Sequence, residues 1–260
     1  MRLGCLWDFS GTEDDFARLE ALAARGYQYV EVPSSCLRLG DDPDAFYAVR
    51  RAWRRAALGP EVVGDLLGPG MLLCGDDVDW RGVERHVALT LERAEELGVR
   101  TLVVGSAGAR RVPEGYPAEE ALDQMRYFLN MAADYAGDLC VAIEPLGEDA
   151  GCCPGGLAET AELVRKVGRP AIRLAVDLEH LQDPGLVAQL GALGDLIGHV
   201  RVPAAACTDP AWEADLEAFV RTLQRSHYGG RLSVSFGARR AVEDGPVAME
   251  KLRQWLGHKS

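Results

Sequence analysis

No apolar run in this sequence approaches the ~20 residues that a helical bilayer span requires. Acidic residues (Glu13, Asp14, Asp15) stand near the N-terminus where a signal peptide would need a long apolar core, so a cytoplasmic location with no membrane partner is expected. Positive charge is also short: 28 Lys and Arg against 40 Asp and Glu leave a net charge of -12. Such a surface repels phosphate backbones, and nucleic acid is excluded as an expected partner. The turn after the first strand lacks a Gly-x-Gly-x-x-Gly signature, which weighs against a dinucleotide fold. Cys-x-x-Cys is missing too. Seven cysteines without repeating spacing argue for reduced thiols rather than a disulfide framework, with Cys5, Cys74 and Cys140 in apolar, core-like contexts.

What is present is a regular alternation. Short β-branched and apolar runs, several of them continuous as in strands covered on both faces, fall at Leu3 to Phe9, Tyr27 to Pro33, Glu61 to Leu67, Thr101 to Gly105, Leu139 to Glu144, Ile172 to Asp177, Ile197 to Val202 and Arg231 to Phe236. Amphipathic segments lie between and after them: Thr12 to Arg25, Pro43 to Ala57, Asp79 to Leu97, Pro117 to Ala136, Leu157 to Val167, Pro184 to Leu193, Ala211 to Ser226 and Gly245 to Leu256. Val83, Val87, Leu91 and Ala94 repeat at helical spacing, Pro117 suits a first helical turn, and Gly26 and Gly98 follow helix ends. Eight strand–helix pairs in 260 residues with 48% hydrophobic content predict an α/β fold, a single (β/α)8 barrel domain spanning residues 1–260.

In such a barrel the C-terminal strand ends face the active-site mouth. Polar residues collect there: Ser106, Arg110 and Arg111 after the fourth strand, Glu144 at the end of the fifth, Asp177 and His180 at the sixth, Arg201 on the seventh. Each has a bland reading as a helix cap or a solvated rim residue. Their coincidence at successive strand ends points to a site, and carboxylates with an imidazole are suitable ligands for Mn²⁺, Mg²⁺ or Zn²⁺.

The stretches Gly26-Tyr27-Gln28-Tyr29-Val30-Glu31-Val32-Pro33, Gly105-Ser106-Ala107-Gly108-Ala109-Arg110-Arg111-Val112-Pro113-Glu114-Gly115-Tyr116, Ala142-Ile143-Glu144-Pro145-Leu146 and Asp177-Leu178-Glu179-His180 resemble the xylose isomerase-like TIM-barrel superfamily. Within it the resemblance is to the sugar phosphate isomerase/epimerase branch, which includes ketose 3-epimerases and hydroxypyruvate isomerase. It implies four metal ligands on strands five to eight, Glu, Asp, His and Glu, with the two glutamates exchanging protons with the substrate. Here the first two match Glu144 and Asp177, while the His falls on Arg201 and the last Glu on Ser235. Two further family positions, a Glu and an Asn in the loop after strand five, are Ala150 and Cys152.

The resemblance therefore implies an isomerase or epimerase acting on a small ketose or hydroxy-carbonyl compound through an altered site. Glu144, His180 and Arg201 are the expected catalytic groups, and Ser106, Arg110, Trp7 and Glu31 the expected substrate contacts. No tightly bound cofactor is expected, because a guanidinium can pair with the two carboxylates but cannot act as a Lewis acid. The alternative is a weakly held divalent metal on Glu144 and Asp177 with Arg201 turned to solvent; His199 could contribute only if its strand were displaced by two residues. A zinc site from Cys152, Cys153, Cys207 and His180 is a lesser reading, since no paired spacing supports it. A small polar molecule is the expected partner, and homo-oligomers are common among the proteins resembled. A non-catalytic descendant that binds a small ligand or a partner protein stands as the second function.

Overall fold

The computed structural model describes residues 1–9, 12–68, 70–147, 151–178, 189–236 and 241–257. Eight parallel strands close into a barrel in sequence order: β1 (Arg2–Leu6), β2 (Tyr29–Pro33), β3 (Pro60–Gly64), β4 (Thr101–Val104), β5 (Cys140–Ile143), β6 (Ile172–Asp177), β7 (Ile197–Pro203) and β8 (Arg231–Ser235). Closure comes from β1 pairing with β8 from Arg2↔Arg231 to Cys5↔Val234. Around them lie α1 (Glu13–Ala24), α2 (Pro43–Trp53), α3 (Trp80–Leu97), α4 (Ala118–Tyr135) and α5 (Leu157–Val167), then helices at Ala204–Thr208, Pro210–Arg225 and Ala241–Trp255. This is the expected (β/α)8 barrel. No described helix is long and apolar enough to cross a membrane.

Local chemistry explains the element ends. Thr12 caps α1 reciprocally with Asp15, Asp79 caps α3 by accepting from the Gly82 N–H at 3.0 Å, and Gly98 ends α3 in the left-handed region at φ 81°. Val83, Val87, Leu91 and Ala94 are all buried against the sheet, as their spacing predicts. Several expected bounds shift. β1 stops at Leu6 rather than Phe9 and β3 at Gly64 rather than Leu67, because apolar character continues into buried loop residues after the ladder has ended; α2 stops at Trp53 rather than Ala57. Pro117 is the cap residue of α4 rather than its first turn. Residues 184–188 of the expected helix Pro184 to Leu193 lie outside the described residues.

The barrel interior is layered. Tyr29 fills its middle with Val62, Val103, Ala142 and Ala175, and the Tyr29 hydroxyl lies 3.0 Å from Ser233 Oγ. Gly4 makes this possible: a Cβ there would sit 2.4 Å from the Tyr29 ring. On β7 the ladder slips, Leu174↔Ile197 being followed by Ala175↔His199, so the chain gains one residue at Gly198. A side chain at Gly198 would meet Cys140 Sγ at 2.5 Å. The slip brings Asp177 into register with Arg201, which places the charged layer.

Candidate active site

Above the Tyr29 layer the inner faces carry Glu31, Glu144, Asp177 and Arg201. A carboxylate inside an apolar strand such as Tyr29-Val30-Glu31-Val32 must find a cation, because burial without a partner strongly disfavours its charge. Glu31, with no solvent exposure, finds Arg201: Nη2 approaches Oε1 at 2.5 Å and Nε donates to it at 2.7 Å. Its other oxygen is 2.8 Å from His199 Nε2. Since an ionised carboxylate only accepts, His199 Nε2 carries the proton; Nδ1 is buried without a hydrogen-bond partner among the described residues. Burial pushes the Glu31 carboxyl upward, but Arg201 and His199 outweigh it and hold the group well below the ordinary range. Arg201 moves the opposite way. Burial disfavours its charge, and Glu31 and Glu144 more than offset this, holding the guanidinium above its ordinary value.

The outer edge of the same guanidinium faces the mouth. Nη1 is 3.2 Å from Glu144 Oε2 and 3.7 Å from Asp177 Oδ2, with 16% of the Arg201 side chain exposed against 4% and 8% for the carboxylates. Arg201 therefore stands among three acids, with its edge reaching the surface. Two glycines clear its space: a Cβ at Gly64 would lie 2.8 Å from Arg201 Nη2, and one at Gly105 would lie 2.9 Å from Glu144 Oε2. The planar, donor-rich guanidinium suits this position because it can serve several carboxylate oxygens at once.

The metal implied by the resemblance does not fit this donor set. Glu144 and Asp177 are bridged by a fixed positive charge, and among the described residues no group of three His, Cys, Asp or Glu side chains could hold an ion. Ser235, at the end of β8 opposite Pro203, offers a neutral hydroxyl in place of a carboxylate. The cysteines do not converge as a zinc site either. Cys152 Sγ donates to the Ala107 carbonyl oxygen at 3.3 Å, whereas Cys153 and Cys207 are buried.

The structure brings Glu144, Asp177, Arg201 and Glu31 together, but not every expected residue joins them. Glu31 is sealed beneath the guanidinium and reaches the mouth only through it. Trp7 belongs to the apolar layer between strands and helices, with the Arg18 guanidinium of α1 6.0 Å from its ring centroid. Arg110 is fully buried and donates from Nη2 to the Glu144 carbonyl oxygen at 2.8 Å, so it positions the end of β5 from behind. Ser106 is half-buried and its Oγ accepts from the Ala109 N–H at 3.4 Å. His180 and Ala150 lie outside the described residues.

Two contributors lie outside the expected site residues, His199 having been expected to contribute only if its strand were displaced. His199 lies on the same inner face as Arg201, one layer deeper. Asp65, just past β3, accepts from the Leu67 and Gly105 N–H groups at 3.3 and 3.2 Å, and burial raises its carboxyl above the ordinary range despite them. The signal for His199 was its i, i+2 spacing from Arg201, which sets both side chains on one face of a strand.

Comparison with known proteins agrees with the architecture. A family model described as xylose isomerase-like TIM barrel matches residues 19–257. A 3-keto-D-glucoside 4-epimerase from E. coli superposes with a TM-score of 0.74 at 19% identity, covering 99% of each chain. A D-allulose 3-epimerase from Methylomonas sp., in complex with D-allulose, gives 0.77 at 15% identity, covering 100% of this chain and 97% of its own. A protein titled AP endonuclease, family 2, from Brucella melitensis gives 0.73 at 19% identity, covering 100% and 99%. No match was found among curated protein sequences. At these identities the solved structures share the fold, and the family match over 19–257 decides membership: the chain belongs to the xylose isomerase-like TIM barrel family.

Proposed function

We propose that this protein is an isomerase-class enzyme acting on a small ketose or hydroxy-carbonyl compound, working by proton transfer without a resident divalent ion. The observation that carries the reading is the Arg201 guanidinium, anchored by Glu31 and 3.2 Å from the Glu144 carboxylate at the mouth. Glu144 takes the proton from the carbon beside the substrate carbonyl. The electron pair moves onto the carbonyl oxygen, and the exposed edge of Arg201 stabilises the charge that develops there. Because Glu31 and His199 already fix the guanidinium, it needs little reorientation during the reaction. Glu144 then returns the proton to the former carbonyl carbon on the same face, while the hydroxyl proton of the other carbon passes to the former carbonyl oxygen, so that the carbonyl moves over by one carbon. Ser235, at the end of β8, carries a hydroxyl where the resemblance implies the second base, which favours isomerisation over inversion at one carbon.

The test follows deuterium from D₂O into a panel of small ketoses and hydroxy-ketones by NMR, using chelator-treated protein. The expected result is exchange at the carbon beside the carbonyl, reduced by about 10²-fold or more in Glu144→Gln, the range for a lost acid–base group. Exchange that appears only on adding Mn²⁺ would overturn the metal-free reading. A second reading, a barrel that binds a small polar ligand without turning it over, is favoured by one specific feature, the hydroxyl of Ser235 in place of a base. Saturable binding with no exchange for any panel member would select it.

A further inference from the structure

At the base of the barrel, the end opposite Arg201, a cavity of about 630 Å³ opens among the starts of β4 to β8, a volume in the range of small-molecule sites. Strand parity makes it cationic. Ala175 packs in the Tyr29 layer and Ser233 reaches the Tyr29 hydroxyl, so Arg173 and Arg231, two residues earlier on β6 and β8, set out from the same inner face one layer below. Arg100 lines the cavity from the turn before β4. Its N–H donates to the Glu61 carbonyl at 2.8 Å and its own carbonyl accepts from the Cys140 N–H at 2.9 Å, which fixes the backbone that carries it. β7 adds no side chain beside Arg173, since a Cβ at Gly198 would lie 2.6 Å from the Arg173 Cβ. The Tyr228 hydroxyl donates to the Arg231 carbonyl at 2.8 Å and lies 3.3 Å from that of Gly198, tying the starts of β7 and β8 at the cavity wall.

The charges in this cavity do not cancel in pairs. Arg231 Nε meets Glu61 at 2.7 Å, but among the described residues neither Arg100 nor Arg173 is paired with a carboxylate. Arg173 Nη1 donates instead to the Asp195 carbonyl oxygen at 2.5 Å. The two acids of the lining, Asp138 and Asp195, are exposed and screened by water, whereas Arg173 and Arg231 are half-buried. In a chain with 40 Asp and Glu residues, two guanidiniums without a carboxylate in one cavity leave donors that an anion from outside would satisfy.

We infer that this basal cavity binds a small multivalent oxyanion, a phosphate ester or a polycarboxylate, held by the Arg100 and Arg173 guanidiniums with Arg231 adding its charge. A guanidinium fork matches phosphate and carboxylate oxygens bidentately, and a ligand with several anionic oxygens can engage two forks at once. Multivalence is needed because the net charge of -12 repels anions at long range, so only strong local contacts can hold one. The site lies at the other end of the barrel from Glu144 and Arg201 and does not depend on the catalytic reading.

The test is isothermal titration of pyrophosphate and of citrate into the full chain, with ionic strength held constant by NaCl. One saturable site is expected: for pyrophosphate alone if the ligand is a phosphate ester, for citrate alone if it is a polycarboxylate, for both if the site reads only oxyanion charge. Affinity should fall about tenfold or more in Arg100→Gln and in Arg173→Gln, the scale of a lost hydrogen bond to a charged group. It should stay unchanged in Glu144→Gln, which alters the mouth. Arg100 is exposed and its side chain makes no hydrogen bond among the described residues, so Arg100→Gln keeps the fold and its melting temperature should match wild type. No saturable heat with either probe, wild-type affinity in both arginine variants, or loss of binding in Glu144→Gln alone would each overturn the inference.

Discussion

At the base of the barrel one carboxylate, Glu61, lies between two guanidiniums, 2.7 Å from Arg2 and 2.7 Å from Arg231; at the mouth one guanidinium, Arg201, lies among Glu31, Glu144 and Asp177. The groups are the same and the proportions inverted. At the base the side chains are 20% to 45% exposed, so water and salt share the work of solvating them, and the pairs tie β1, β3 and β8 together at modest gain. At the mouth Glu31 has no exposure at all, and each partner depends on the others for its charge. Placement relative to solvent, rather than the number of ion pairs, separates a structural staple from a site able to act on a ligand.

The largest expected effect follows from removing the cation at the mouth. Arg201→Met leaves Glu31 buried with only His199 beside it and should cost about 3–5 kcal/mol in urea unfolding, the range for breaking a buried pair. Gly64→Ala keeps every charge but sets a Cβ 2.8 Å from Arg201 Nη2; displacement of the guanidinium should cost about 1–3 kcal/mol. Acid sharpens the contrast. The Glu31 carboxyl is held below its unfolded value, so its contribution is fully present above that value, about 4.3, and is lost as pH falls through the folded one. The gap in melting temperature between wild type and Arg201→Met should therefore narrow as pH falls below about 4. A constant gap would mean that Arg201 acts through packing alone. The smallest effect belongs to the base: Glu61→Gln should cost under about 1 kcal/mol, shrinking further in high salt. A larger loss there would erase the distinction between the two ends.

Much of this was legible in the sequence, and the gaps have physical causes. β6 at Ile172–Asp177 and α5 at Leu157–Val167 coincide with their expected bounds, because Asp177 closes an apolar run and Gly168 ends a periodic one in the left-handed region at φ 63°. The meeting of Arg201 with Glu144 and Asp177 was readable because strand ends converge in a closed barrel. That Glu31 is the principal partner was not, since its depth depends on ladder register, which slips at Val30/Glu31 on β2 and at Leu174/Ala175 on β6. Neither slip has a sequence marker apart from Gly198. The surroundings of Trp7 were hidden for a related reason: β1 ends at Leu6, and Leu3, Cys5 and Trp7 share the large apolar cluster.

On the proposed reading, the Arg201 guanidinium takes the position on which a divalent cation would depend. Isothermal titration of Mn²⁺ into chelator-treated wild type and into the doubly substituted Arg201→His/Ser235→Glu chain tests it directly. Wild type is expected to show no saturable binding and the variant a single site, because the substitutions remove the competing charge and supply an imidazole and a carboxylate to join Glu144 and Asp177. Stoichiometric Mn²⁺ binding to wild type, abolished by Glu144→Gln or Asp177→Asn, would contradict it.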